Sequence, residues 1–195
     1  MNLREVNISR EVTTDSAVHH LQRLLDIEAI RQLVASYPLL VDGHEAAGLV
    51  AAFTEDGEFS RAGATYTGRA ELTTFFEAIV SSYSVMVHTA HQHVIDLGED
   101  STTASGIQTG HGEVGLPSGQ RAVASYRYDD DYRKVGDRWL FAKRVMRYHY
   151  FAPHDRLGSI LNGRQRVHMP SGEIRDGEIP EGLPTWRPPT TAAGE

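Results

Sequence analysis

Apolar residues along the first third of the chain recur at three- and four-residue steps. Val18, Leu21, Leu24, Leu25, Ile27, Ile30, Leu33 and Val34 form a stripe that predicts a long amphipathic helix running toward Asp42, packed through that stripe. Pro38 disfavours helical backbone at Tyr37, so a kink or restart is expected there. A second helical segment is predicted around residues 44–53, where Leu49, Val50 and Phe53 are apolar. Asp56-Gly57-Glu58-Phe59-Ser60 reads as a turn into a short strand, and Gly63 and Gly68 bracket another short strand holding Tyr66. Residues 68–80 predict a third helix, with Leu72, Phe75, Phe76 and Ile79 on one side.

Beyond Val80 the period changes from helical to alternating. Residues 85–97, 102–114, 121–135 and 138–151 each read as strands, divided by loop signals at Gly98-Glu99-Asp100, Gly115 to Gly119 and Val135-Gly136-Asp137. Helices followed by long strands joined by short turns define an α+β domain. Three parts are expected: a polar arm over 1–15, a domain over 16–153, and a proline-rich tail over 154–195. Pro170, Pro180, Pro184, Pro188 and Pro189 interrupt any regular pattern in the tail, which is expected either to wrap on the domain or a neighbour or to stay partly disordered.

Composition narrows the chemistry. Hydrophobic residues make up 40% of the 195, enough for a core, and the apolar runs are too broken for a membrane-spanning helix. The amino terminus has no continuous apolar segment of the secretory kind. A formal net charge of −7 argues against nucleic-acid binding. The absence of cysteine excludes disulfides, thiolate nucleophiles and cysteine-ligated metals, and fits a cytoplasmic location.

Two titratable groups stand in mostly apolar company: Asp42, at the end of the first predicted helix, and His88, in Ser84-Val85-Met86-Val87-His88-Thr89-Ala90. A carboxylate that orients an imidazole makes a general base. A backbone-bonded core histidine and a helix-end carboxylate are the blander alternatives. Tyr37 is a candidate proton donor or a packing aromatic. Alternation puts Arg144 on a face with Leu140, Ala142 and Met146, where a paired inward arginine is plausible, as is an outward one. His111, flanked by Gly110 and Gly112, is a weaker candidate. Strand alternation sets His91 and His93 on one face and His88 on the other, so no metal site is expected from them. Asp129-Asp130-Asp131 lacks calcium-loop spacing and reads as a bulge or a solvated face. No phosphate-cradling glycine motif is present.

The order of elements, with Val41-Asp42, Ala51 to Gly57, Tyr66-Thr67-Gly68-Arg69, His88, Tyr126 to Tyr132, Gly136 to Trp139, Lys143-Arg144 and Tyr150-Phe151-Ala152-Pro153, resembles a known superfamily over roughly 21–153. These are the cone-shaped α+β domains of the nuclear transport factor two type, in their SnoaL-like and scytalone dehydratase-like branch. The chain is similar to the hexachlorocyclohexane dehydrochlorinases and to the bile-acid and scytalone dehydratases. That resemblance implies a curved sheet wrapped around N-terminal helices and an apolar cavity. It implies catalysis by Asp42 and His88, with Tyr37, Arg144 and His111 as supporting groups. It further implies a cofactor-free lyase of the dehydratase type acting on a hydrophobic cyclic small molecule, and a homo-oligomer, with a trimer favoured over a dimer. The dehydrochlorinase lysine near Tyr37 and its tryptophan near Phe59 have no counterpart here, which makes chloride elimination the less favoured reaction. An isomerase or polyketide cyclase using the same pair, and a non-catalytic binding or assembly module, are the alternative readings.

Overall fold

The computed structural model describes residues 17–188. The arm expected over 1–15 lies outside the described residues.

Helix α1 (Ala17–Asp42) is one continuous helix with Pro38 inside it, so the expected break at Tyr37 does not occur. The proline removes one backbone donor, but Val34, Tyr37, Pro38 and Val41 are all buried on the same side. Packing on both sides of the lost bond holds the helix together. Helix α1 stops at a tight turn in which His44 adopts a left-handed φ of 57° and the Gly43 amide donates to the Leu39 carbonyl at 2.9 Å. The predicted stripe divides. Ile30 and Val34 are buried, while Val18, Leu21, Leu24 and Leu25 are exposed. Arg23 ties this part down by donating to the carbonyls of Gly98 and Leu97 at 2.9 and 3.1 Å. Asp26, polar and almost fully buried, accepts from Lys134 Nζ at 2.6 Å and Trp139 Nε1 at 2.9 Å.

Short helix α2 (Ala46–Ala51) leads into β1 (Phe53–Arg61) and β2 (Ala64–Thr67), which form an antiparallel pair. Helix α3 (Gly68–Ser82) follows and buries Leu72, Phe75, Phe76 and Val80. Four long strands come next: β3 (Val85–Leu97), β4 (Thr103–Gly115), β5 (Arg121–Val135) and β6 (Arg138–Pro153). The sheet order is β2-β1-β6-β5-β4-β3, open at both ends, with β1 parallel to β6 and the other neighbours antiparallel. Register shifts in β3–β4 and at two places in β5–β6 are the kind that bend strands, so the sheet curves over the helices. The α+β cone expected from the sequence is what the chain forms.

Inside the curve the core is aromatic. Phe53, Phe59, Phe75, Phe76, Phe141 and Tyr37 meet mostly edge-on or tilted, at centroid distances near those favoured by ring quadrupoles. Strand β4 makes room by omission. A Cβ at Gly110 would stand 2.7 Å from the Tyr126 ring, and one at Gly112 would stand 3.2 Å from the His88 ring.

The tail wraps on the domain. After α4 (Leu157–Ile160), β7 (Val167–His168) adds parallel to β6 and β8 (Ile174–Arg175) pairs with β7. Arg166 is the clasp. It pairs with Glu181 at 2.7 Å and donates to the carbonyls of Gly163, Ile179 and His149. Among the described residues no helix is long and apolar enough to cross a membrane.

Candidate active site

Asp42 is the last residue of α1, and α1 lies across the inner face of β3. Strand β3 is the sheet's edge, so half of its backbone amides face away from β4 and need partners. The His88 amide is one of these, and it donates to Asp42 Oδ2 at 2.9 Å. The other carboxylate oxygen, Oδ1, stands 2.6 Å from His88 Nδ1. Both oxygens are therefore committed to one histidine, which fixes the ring's position and its tautomer. With the proton on Nδ1 facing the carboxylate, Nε2 carries the lone pair. Asp42 and His88 side chains are 27% and 14% exposed, so neither points into bulk water.

His88 lines a hollow whose walls include Val41, Phe59, Phe75, Phe76, Met86, Val114 and Met146. Its polar fittings are few: His88, Arg61, and the tyrosines at 37, 83, 126, 128 and 148. The Tyr126 hydroxyl donates to the His111 carbonyl at 3.3 Å. Tyr37 and Tyr128 make no such bond to the described protein, and both line the hollow. Burial pushes the Tyr128 hydroxyl up to about 12 and holds Tyr37 well above the ordinary phenol value. Both remain protonated and able to donate.

Arg144 is fully buried and does not open onto the hollow. Its guanidinium carbon lies 4.2, 3.8 and 4.3 Å from the ring centroids of Tyr37, Tyr128 and Phe141. Asp130 is its counter-ion at 3.2 Å, and Gln108 Oε1 accepts from Nη2 at 2.6 Å. The expectation that Arg144 touches developing charge is thus corrected: a layer of tyrosines separates it from the hollow, and it acts by holding that layer. Its predicted face also changes. A bulge at Asp131/Tyr132 brings Phe141, in place of Leu140 and Ala142, onto the side of Arg144 and Met146.

His111 lies on the other side of the sheet. Gly110 and Gly112 face inward, so His111 faces out, where its Nδ1 is 2.7 Å from His91 Nε2. It is removed from the candidate site. The expected pairing of His91 with His93 fails for a related reason. A bulge between Ala90 and His93 turns His93 inward, 3.1 Å from the Tyr132 hydroxyl, and leaves His91 outside. Among the described residues no group of three His, Asp or Glu side chains is gathered to hold a metal.

Four contributors escaped the sequence reading. Asp130, hidden in an acidic run, is buried, and burial pushes its carboxyl up to about 6 against the pull of Arg144. Tyr126 and Tyr128 line the hollow. Arg61 does too, and strand alternation from Phe59 was the available signal for it.

An open sheet curved over an aromatic hollow, with a histidine held by a carboxylate at its edge, defines a cone-shaped α+β domain. The family model described as SnoaL-like domain matches residues 22–145, and the chain belongs to that family. Among solved structures, it is similar to a candidate scytalone dehydratase of Novosphingobium aromaticivorans, at 22% identity, TM-score 0.63, over 68% of this chain and 89% of that one. It is similar to the hexachlorocyclohexane dehydrochlorinase LinA-type3 of Novosphingobium barchaimii, at 20% identity, TM-score 0.63, over 69% and 93%. A function-unknown protein of Mycobacterium tuberculosis, Rv3472 in its D26N form, matches at 23% identity, TM-score 0.59, over 65% and 73%. These likenesses speak for the fold. No curated protein matches the chain in sequence.

Proposed function

We propose that this protein is a lyase of the dehydratase type that removes a proton from a hydrophobic cyclic small molecule. The observation that carries the reading is the double grip of Asp42 on His88, at 2.6 Å through the ring and 2.9 Å through the amide. Asp42 holds the ring through Nδ1 and the strand through the amide, and Nε2 has no hydrogen-bond partner among the described residues.

His88 Nε2 takes the proton from carbon, and Asp42 stabilises the imidazolium that forms. The electron pair released makes the new double bond as the carbon–oxygen bond breaks. Tyr37 or Tyr128 protonates the departing hydroxyl, giving water, and the imidazolium proton restores the phenol. The apolar walls exclude bulk water and strengthen each of these polar contacts. The chemistry calls on no metal or organic cofactor. Dehydratase and dehydrochlorinase names among the structural neighbours support this class of reaction.

The test is a panel of hydroxylated cyclic ketones assayed for loss of water by mass spectrometry. Turnover of one of them is expected to show a primary deuterium isotope effect at the carbon next to the carbonyl and to vanish in His88→Gln. Full activity in that variant overturns the reading.

A further inference from the structure

Arg61 ends β1 with its side chain on the face of Phe59, against the hollow that His88 also lines. Its Nε donates to the Tyr148 hydroxyl at 2.6 Å, and the Tyr83 hydroxyl is its other hydrogen-bonding neighbour. No carboxylate pairs with it among the described residues. That sets it apart from Arg144, the buried arginine behind the tyrosines, which has Asp130. Those two phenols take two of the guanidinium's five N–H groups, and the other three have no hydrogen-bond partner among the described residues. A guanidinium always carries its charge, and placing that charge against apolar walls with only phenols for company is costly. The outer fork of two Nη groups is the geometry that receives a carboxylate.

We propose that Arg61 is the anchor for a carboxylate on the substrate, so that the molecule taken by this hollow is a hydrophobic monocarboxylic acid. This rests on reading the hollow as the substrate chamber and narrows what enters it. The hollow has one permanent cation, which matches a single negative charge; a phosphate dianion would call for more. Phe59 and Phe75 stack beside Arg61 at 5.1 Å between centroids, so a flat apolar body can lie along them while its acid group meets the fork. Tyr148 fixes the guanidinium from the opposite side. Anchored there, the substrate presents its far end to the remainder of the chamber, where His88 Nε2 waits.

Titration calorimetry on the full chain with trans-cinnamate and with its neutral isostere, trans-cinnamamide, tests this. In the wild type the acid is expected to bind about tenfold or more tighter than the amide, the range for a charge-assisted hydrogen-bonded pair. Arg61→Met should bring the acid down to the amide's affinity and leave the amide unchanged. If circular dichroism shows Arg61→Met unfolded, Arg61→Lys takes its place and is expected to lose most of the preference, since a point charge lacks the fork. Equal binding of acid and amide by the wild type, no saturable binding of either, or a preference that survives both substitutions overturns the proposal. His88→Gln separates the two readings, because it is expected to keep the preference for cinnamate over cinnamamide while losing turnover. Arg61-dependent binding without any His88-dependent turnover would sink the lyase and spare the anchor. The converse result would sink the anchor and spare the lyase.

Discussion

Asp42 performs two tasks that different substitutions separate. Asp42→Asn keeps a side chain that can accept from the His88 amide but no longer opposes an imidazolium charge. Turnover is expected to fall by two to four orders of magnitude, roughly the scale of general-base catalysis, with an unchanged far-ultraviolet spectrum. Tyr37→Phe keeps the ring that lies on Arg144 and removes only the hydroxyl. The expected effect is a drop in kcat of about a hundredfold without loss of thermal stability; an unchanged kcat would pass the donor's role to Tyr128. His93 gives a pH signature unrelated to catalysis. Burial, reinforced by Arg144 and Arg31, lowers its pKa to about 4 in the folded chain. The unfolded chain therefore binds the extra proton between about 6.5 and 4, and stability is lost as the pH falls through that window. Asp130, raised to about 6, contributes the opposite slope, so the comparison must be with a variant. His93→Gln should remove about one proton of acid sensitivity from denaturant titrations.

Strands β5 and β6 show where reading the sequence succeeds and where it stops. The limits of β5, the start of β6, and the shared face of Arg144 and Met146 follow from a period of two. Bulges do not. One extra residue in β3 turned His93 inward and left His91 outside, and another in β6 exchanged Leu140 and Ala142 for Phe141 beside Arg144. Such shifts depend on how the whole sheet bends, which no local pattern records. The meeting of Asp42 and His88 was legible only through family resemblance, since nothing in a helix end and a strand 46 residues away says that they touch. Asp130 was misjudged because an acidic run ordinarily faces water, whereas one member here balances a buried cation. Asp130→Asn should cost about 3–5 kcal/mol by chemical denaturation, the usual result of leaving such a cation unpaired. Replacing the pair together, as Asp130→Leu with Arg144→Met, should recover much of that loss.

The tail beyond Pro153 is bound into the molecule through Arg166, which links residues 149, 163, 179 and 181. Arg166→Ala strands Glu181 and three carbonyls. Limited proteolysis is expected to cut this variant between 156 and 175 well before the wild type, and equal cutting rates would show that the clasp is dispensable. The opposite end carries Val18, Leu21, Leu24 and Leu25 in the open, an apolar strip that a monomer would leave wet. The family resemblance implies a homotrimer, and we propose this strip as part of its seam, so light scattering should find a trimer that Leu21→Glu with Leu24→Glu dissociates. A monomeric wild type contradicts it.

Gly112 gives the molecule a hidden off-switch. An alanine methyl there would sit 3.2 Å from His88 Cδ2, against a ring that Asp42 has clamped from behind and that cannot slide away. A methyl at that distance requires the strand or the imidazole to give by a few tenths of an ångström, so Gly112→Ala is expected to lower turnover while the rest of the vessel stays intact. A lineage could in this way turn a catalyst into a mere carrier of the same guest, and a search for lost activity that checks only the acid and the base would pass over the cause.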